Sequence, residues 1–239
     1  MIRSANSNSQ LQRRPNKPHA AQRLIAWTGL RFSGRVIMST SFGIQSAVTL
    51  HLVNQVMPRL PVIWVDTGYL PAETHEYAKT LTQHLNLNLH VAKSDMSPAD
   101  MSPADMEERY GRLWESDSLD DLNAYDQIRK VEPMKKTLNQ LNAEAWISGV
   151  RANQTDFRAG LKHVTKSPCI WRIHPLLDWT TEDVSRYLRI HGLPRHPLEA
   201  DGFTTVGDAH SSRPLEASDK SDRDTRFCGR KQECGLHLG

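Results

Sequence analysis

Arg35-Val-Ile-Met-Ser-Thr-Ser-Phe-Gly-Ile-Gln-Ser46 carries the chain from a short apolar run into a stretch with apolar residues at 44, 47, 48, 52, 53 and 56. The first part reads as a buried strand over 35–39 and the second as a helix over 44–56. The hydroxyl-rich segment between them is then a strand-to-helix turn. Such a turn gathers backbone N–H groups, hydroxyls and a helix N-terminus at one point, which suits phosphate or sulfate. It lacks G-x-x-x-x-G-K-[ST], so it is not a Walker A loop. Taken alone it is equally an ordinary turn with an N-cap serine.

The rhythm repeats outward from this point. A helix reads over 21–32, and Pro61-Val-Ile-Trp-Val65 is a second buried strand. Asp66-Thr-Gly-Tyr69 follows it, then a helix over 72–85 and a strand over 87–92. Further on come a helix starting near Met106, a helix over 134–141, a strand over 145–149 and a helix over 180–191 closed by Gly192. Strand–helix alternation at this spacing predicts an α/β fold, a doubly wound and mostly parallel sheet with helices on both faces. Asp66-Thr-Gly-Tyr69 leaves the end of a strand where open α/β sheets bind ligands. Beside the first loop it makes a two-sided nucleotide crevice.

Composition narrows the class. At 239 residues, 38% hydrophobic and 24% charged, the chain is an ordinary globular protein able to bury a core without staples. No apolar run reaches the ~18 residues of a membrane span. Three cysteines argue against a disulfide framework and for a reducing compartment, and they lack the paired spacing of a zinc site. The net charge of +3 hides an asymmetry, because residues 1–65 hold eight Lys or Arg and no acid before Asp66. Residues 1–20, rich in Ser, Asn, Gln, Arg and Pro, read as a disordered basic leader. A transit segment has the same composition, and so does an arm that attracts nucleic acid. Met96-Ser-Pro-Ala-Asp100 is repeated at once as Met101-Ser-Pro-Ala-Asp105, a tandem duplication expected in a loop.

The division that results is a leader (1–20), a nucleotide-binding α/β domain (21–207) and a flexible tail (208–239). The tail has no strand or helix period, yet it holds Cys228 and Cys234. A thiol of pKa ~8.5 becomes a reactive thiolate beside cations. Arg226, Arg230, Lys231 and His237 lie close to Cys234 in sequence; a spare surface thiol is the plainer reading. Cys228 is a possible resolving thiol, and Cys169, beside Trp171, reads as packing.

From Ala21 to Gly239 these motifs resemble, in order, the phosphoadenylyl-sulfate (PAPS) reductases of assimilatory sulfate reduction. Ser39-Thr-Ser-Phe-Gly-Ile-Gln45 looks like their modified pyrophosphate loop and Asp66-Thr-Gly-Tyr69 like their adenosine-side loop. Lys130-Val-Glu-Pro-Met134, Gly149-Val-Arg-Ala-Asn-Gln154 with Arg158, Pro175-Leu-Leu-Asp-Trp179, His196-Pro-Leu and Val206-Gly-Asp-Ala-His-Ser-Ser-Arg213 follow. Glu233-Cys-Gly-Leu-His237 closes the series and is the most specific of them.

The resemblance implies the adenine-nucleotide α-hydrolase fold, a cytoplasmic homodimer, and no membrane or nucleic-acid partner. It implies Cys234 and His237 as catalytic residues. Substrate binding would fall to Ser39, Ser41, Phe42, Gly43, Gln45, Asp66, Thr67, Gly68, Tyr69, Lys130, Arg151, Gln154, Arg158, Arg226, Arg230 and Lys231. Cys234 would attack the sulfuryl sulfur of PAPS, and thioredoxin (or glutaredoxin) would release sulfite. Sister enzymes that reduce adenylyl sulfate (APS) often carry a [4Fe–4S] cluster on two cysteine pairs. Their positions here are Tyr125, Asp126, Asp208 and Ser211, so the resemblance implies no iron–sulfur cluster and no metal. Gln45-Ser46 also replaces two carboxylates of the APS-type loop, which favours an extra phosphate. An APS reductase and a non-catalytic adenine-nucleotide or nucleic-acid binding protein stand as alternatives. Three features depart from the family: Cys228 where an aromatic residue is common, a leader without acidic helical character, and the duplicated loop.

Overall fold

The computed structural model describes residues 16–94, 101–231 and 233–236. The leader up to residue 15, the first copy of the duplication (96–100) and His237 lie outside these, as does the Cys228 side chain.

Six strands form one sheet in the order β3-β2-β1-β4-β6-β5. They are β1 (Val36–Thr40), β2 (Pro61–Val65), β3 (Asn88–Ala92), β4 (Ala145–Ile147), β5 (Val164–Lys166) and β6 (Trp171–Ile173). All neighbours pair parallel except β5 with β6. Alternation along the strands sends side chains to two separate cores. Val36, Met38, Val62, Trp64, Ala145 and Ile147 face a large core formed with α1 (Lys17–Phe32), α2 (Ser46–Val56), α3 (Ala72–Leu85) and α8 (Thr181–Ile190). Ile37, Ile63 and Trp146 face the other way, against Met134 and Leu138 of α6 (Glu132–Gln140). A sheet covered on both faces needs strands apolar at every position, which is why 36–38 and 61–65 read as continuous runs.

The doubly wound sheet is as expected, and the differences have local causes. Helix α1 begins at Lys17, inside the stretch assigned to the leader, because Asn16 caps it and Pro18 suits the first turn. Lys17 also reaches Asp183 at 2.7 Å on α8. Strands β5 and β6 have three residues each, too few to show a period. The helix expected near Met106 starts earlier: α4 (Pro103–Tyr110) is opened by a capping box of Ser102 and Asp105. The second copy of the duplication thus makes a helix start. Met101 is buried in a third, aromatic-rich core. Cys169 is exposed, not packed, since it lies in the Ser167–Ile170 turn between β5 and β6. No described helix is long and apolar enough to cross a membrane.

The longest departure is a nearly continuous helical run from α5 (Leu119–Asp126) through a π turn (Gln127–Val131) into α6. Pro133 in the first turn of α6 has no N–H for the ladder, and the wider π turn absorbs the mismatch. It also buries two consecutive cations, Arg129 and Lys130.

Removing the cap with Ser102→Ala should cost about 1 kcal/mol in urea unfolding. A second expectation concerns pH. Burial holds His174, His196 and His210 at about 4. The Leu198 N–H donates to Nδ1 of His196 at 3.2 Å, which fixes that ring neutral with its proton toward Thr74. The unfolded chain takes up protons on these rings below about pH 6.5 and the folded chain does not. Stability should therefore be full above that pH and fall as pH drops toward 4. His196→Gln should flatten the slope of urea midpoint against pH over that window.

Candidate functional site

The strand order reverses between β1 and β4, and the loops leaving their C-terminal ends flank a cavity of about 580 Å³. This is the crevice position for open α/β sheets. Its first wall is the 39–46 loop. Thr40 Oγ1 accepts from the Phe42 N–H at 3.1 Å and Ser41 Oγ from the Gly43 N–H at 3.3 Å, so the hydroxyls shape the turn. Phe42 has φ +47° and is fully buried against Trp64, edge to face at 5.2 Å. It anchors the loop and does not line the cavity, whereas Ser39, Ser41, Gly43 and Gln45 do. Ser39 Oγ also accepts from Trp146 Nε1 at 2.7 Å.

The facing wall is 149–158. Gly149 leaves β4 so close to α2 that a Cβ would meet Thr49 Oγ1 at 2.6 Å. Arg151 lines the cavity, hydrogen-bonded to Gln45, and burial pushes its guanidinium down to about 10. Gln154 Oε1 accepts from the Arg151 N–H at 3.0 Å and from Arg158 Nη1 at 2.5 Å.

The Asp66–Tyr69 loop supplies support more than lining. Thr67 alone of the four reaches the cavity. Asp66 Oδ1 caps the Gly68 N–H at 3.0 Å, and its other oxygen lies 3.5 Å from Lys93. Gly68 takes φ +79°, with Pro103 and Arg129 against the place a Cβ would occupy. Tyr69 points into the aromatic core against Trp114, at 4.7 Å, its hydroxyl bonded to Glu107.

The floor is charged. Lys130 sits between Asp126 at 2.9 Å and Asp208 at 2.8 Å, all three buried. Burial opposes each charge, but Lys130 and Arg226 hold the Asp208 carboxyl far below its usual range. Burial likewise lowers Lys130, and the two carboxylates more than reverse this. Thr67 donates to Asp208 as well. Three of the four positions compared with cluster cysteines meet Lys130, since the Tyr125 ring lies 5.0 Å from its Nζ and Asp126 and Asp208 pair with it; at the fourth, the Ser211 N–H donates to the Asp208 carbonyl. Among the described residues no group of three or more His, Cys, Asp or Glu is placed to hold a metal.

The tail is irregular but packed over this floor. Arg226 is buried with its guanidinium laid on Gly207, where a Cβ would lie 1.7 Å from Nη1, and its Nη2 donates to Ser211. Lys231 reaches Asp126 at 2.6 Å and lines the cavity. Arg230 turns outside to Asp117 at 2.8 Å and the Ser116 carbonyl. Arg158 meets Glu233 with two bonds of 2.8 and 2.7 Å. Cys234, a free thiol, lies on the cavity wall.

Asp208 and Glu233 lie within sequence motifs yet carry no local sign of a site role, because their partners are cations far away in the chain. Arg223 and Lys220, which line the cavity from a loop without period, carry none either. Burial, with Arg158 next, pushes Arg223 down to about 10 against the pull of Glu233, and no described carboxylate is in ion-pair contact with it. Seven cations and three carboxylates are among the described lining residues, so the cavity is strongly positive.

A model of the phosphoadenosine phosphosulfate reductase domain matches residues 35–214. The chain belongs to this family. A phosphoadenosine 5′-phosphosulfate reductase of Synechococcus sp. is 54% identical over 219 residues, 92% of each chain. One of Salmonella typhi is 43% identical over 235 residues, 98% of this chain and 91% of that one. The crystal structure of phosphoadenylyl-sulfate reductase from Candida auris, a phosphate complex, is similar with a TM-score of 0.68 at 25% identity. The match covers 81% of this chain and 90% of that one. Candida glabrata FMN adenylyltransferase, at 17% identity and TM-score 0.63 over 97% and 79% of the two chains, shares the fold alone. The family makes the chain an oxidoreductase with the adenine-nucleotide α-hydrolase type of sheet.

Asp208→Asn would leave Lys130 and Arg226 short of a buried counter-charge. The expected cost is about 3 kcal/mol or more in urea unfolding. A loss below about 1 kcal/mol would show that the floor does not depend on this pairing.

Proposed function

We propose that the chain reduces 3′-phosphoadenylyl sulfate to sulfite and adenosine 3′,5′-bisphosphate in sulfate assimilation, with thioredoxin or glutaredoxin as the electron donor. The observation that carries the reading is the position of Cys234, a free thiol on the wall of a cation-rich cavity built at the switch point of a nucleotide-binding sheet.

Cys234 attacks as thiolate at the sulfuryl sulfur. A sulfur–sulfur bond forms, the bond from sulfur to the bridging oxygen breaks, and adenosine 3′,5′-bisphosphate leaves with that electron pair. A thioredoxin thiolate then attacks Cys234 Sγ, sulfite departs, and the mixed disulfide is resolved by the second thioredoxin thiol. The two thiols lose the two electrons that the sulfuryl group gains. His237 stands beside the nucleophile in sequence and shares its catalytic assignment.

The cavity chemistry supports an anionic nucleotide. Ser39, Ser41, Gly43 and Gln45 present the turn suited to a phosphate or sulfate, and Lys130, Arg151, Arg226 and Lys231 supply positive charge. Arg223 and Lys220 join them as cations without a carboxylate partner among the described residues. No metal or cluster enters this scheme, since the four compared positions carry no thiol. The resemblance adds a homodimer working in the cytoplasm.

The test is sulfite release with reduced thioredoxin, PAPS against APS at equal concentration. PAPS should turn over at least about tenfold faster; one charge-assisted contact to the extra phosphate is enough for that ratio. Faster turnover of APS would overturn the choice of substrate. Cys234→Ser should still bind adenosine 3′,5′-bisphosphate while sulfite release disappears, and sulfite formed by that variant would remove Cys234 from its role.

A further inference from the structure

The residue immediately before Cys234 is held by a buried, two-bonded ion pair. Glu233 is buried, and its two oxygens accept from Arg158 Nε at 2.8 Å and Nη2 at 2.7 Å. Thr155 Oγ1 donates to the same carboxylate at 2.7 Å. Arg158 is itself fixed from behind, since its Nη1 donates to Gln154 at 2.5 Å. Thr155 opens α7 (Asp156–Ala159) by accepting from the Arg158 N–H at 3.2 Å, so donor and helix start form one unit. On the other side of Cys234 the chain turns through Gly235 at φ +78°, with Val131 3.4 Å from the place of a Cβ. Leu236 then packs on the core of Met134 and Trp146, and Arg172 Nη1 approaches its carbonyl at 3.4 Å. Cys234 is thus strung between two anchors, one ionic and one apolar.

We propose that Glu233 is a positioning residue: its ion pair with Arg158, locked by Thr155, sets Cys234 into the cavity for attack on the substrate. This rests on the functional reading above, and it assigns Arg158 to the tail because its Nε and Nη2 both bond Glu233 while its Nη1 is taken by Gln154. A bidentate buried pair has the directionality to fix a turn, which a single lysine contact lacks. A covalent step needs its reacting atoms placed to within about an ångström, so loosening the residue next to the nucleophile slows attack. Exchange of the S-sulfonate with a thioredoxin thiol takes place on an outward-reaching partner and does not need the clamp.

Glu233→Gln separates these steps in the full-length chain. In single turnover without reductant, formation of the Cys234 S-sulfonate from PAPS should slow about 10- to 100-fold, the worth of one charged hydrogen-bonded pair. Binding of adenosine 3′,5′-bisphosphate should not weaken, and sulfite release from pre-sulfonated variant by thioredoxin should keep its rate. Alkylation of Cys234 by iodoacetamide, followed on its own peptide, should quicken several-fold as the turn loosens. Thr155→Val, which removes the bond to Glu233 together with the cap on the Arg158 N–H but spares the ion pair, should move both readouts the same way by about two- to tenfold. Unchanged alkylation and unchanged sulfonation overturn the proposal. Loss of nucleotide binding in parallel with sulfonation also overturns it, by making Glu233 part of the general structure. If the unmutated chain forms no S-sulfonate from PAPS, the functional reading fails, while the alkylation comparison still decides whether the clamp exists.

Discussion

Lys130 is the residue on which the site is assembled. Its ammonium is buried and pairs at once with Asp126 from the helix before it and Asp208 from a loop 78 residues later. A charge of this depth is tolerable only when paired, so folding cannot bury Lys130 without bringing the 208 loop to the π turn. The same two carboxylates extend the network, Asp126 to Lys231 and Asp208 to Thr67. Strand end, π turn, loop and tail are thereby tied at one point beneath the cavity. The aromatic rings of Tyr125 and Phe227, 5.0 and 5.6 Å from the ammonium, close the floor against water.

Two kinds of interaction hold the two sides of the crevice. The 39–46 loop is fixed by packing, through Phe42 in a left-handed conformation under Trp64 and a helix start built on the sheet. The tail is fixed by charge, through Lys231 on Asp126, Arg230 on Asp117 and Glu233 on Arg158. Apolar packing has no second arrangement at similar energy, whereas an ion pair can exchange one anion for another. A loop fixed by packing thus faces a tail fixed by charge across the cavity.

The positive surplus of the cavity comes from incomplete pairing. Lys130, Lys231 and Arg158 are each neutralised by a buried carboxylate, while Arg223 faces the cavity without one among the described residues. Three of the four positions that the resemblance compared with cluster cysteines meet Lys130, through a ring and two carboxylates, and the fourth, Ser211, bonds the Asp208 carbonyl. A salt-bridged lysine is therefore in contact with three of that set.

Local signals in the chain are enough to specify the sheet and its contents. Continuous apolar runs at 36–38 and 61–65, helix periods at 47–56 and 72–85, and the hydroxyl-rich turn between β1 and α2 required a two-faced parallel sheet with an anion loop, because these signals are local and periodic. Family motifs pointed to Cys234 in the same way. Tertiary structure alone decided what each polar residue does. Phe42, Asp66, Gly68 and Tyr69 sit in motif positions yet serve as anchors, since backbone direction, not residue type, aims a side chain. The π turn that buries Arg129 and Lys130 together arises where Pro133 meets a preceding helix, a junction without a periodic signature. Asp208 and Glu233 gained their roles from partners 78 and 75 residues distant. Electrostatic pairing across such separations leaves no mark on local spacing, so the chain had to be folded before those roles existed.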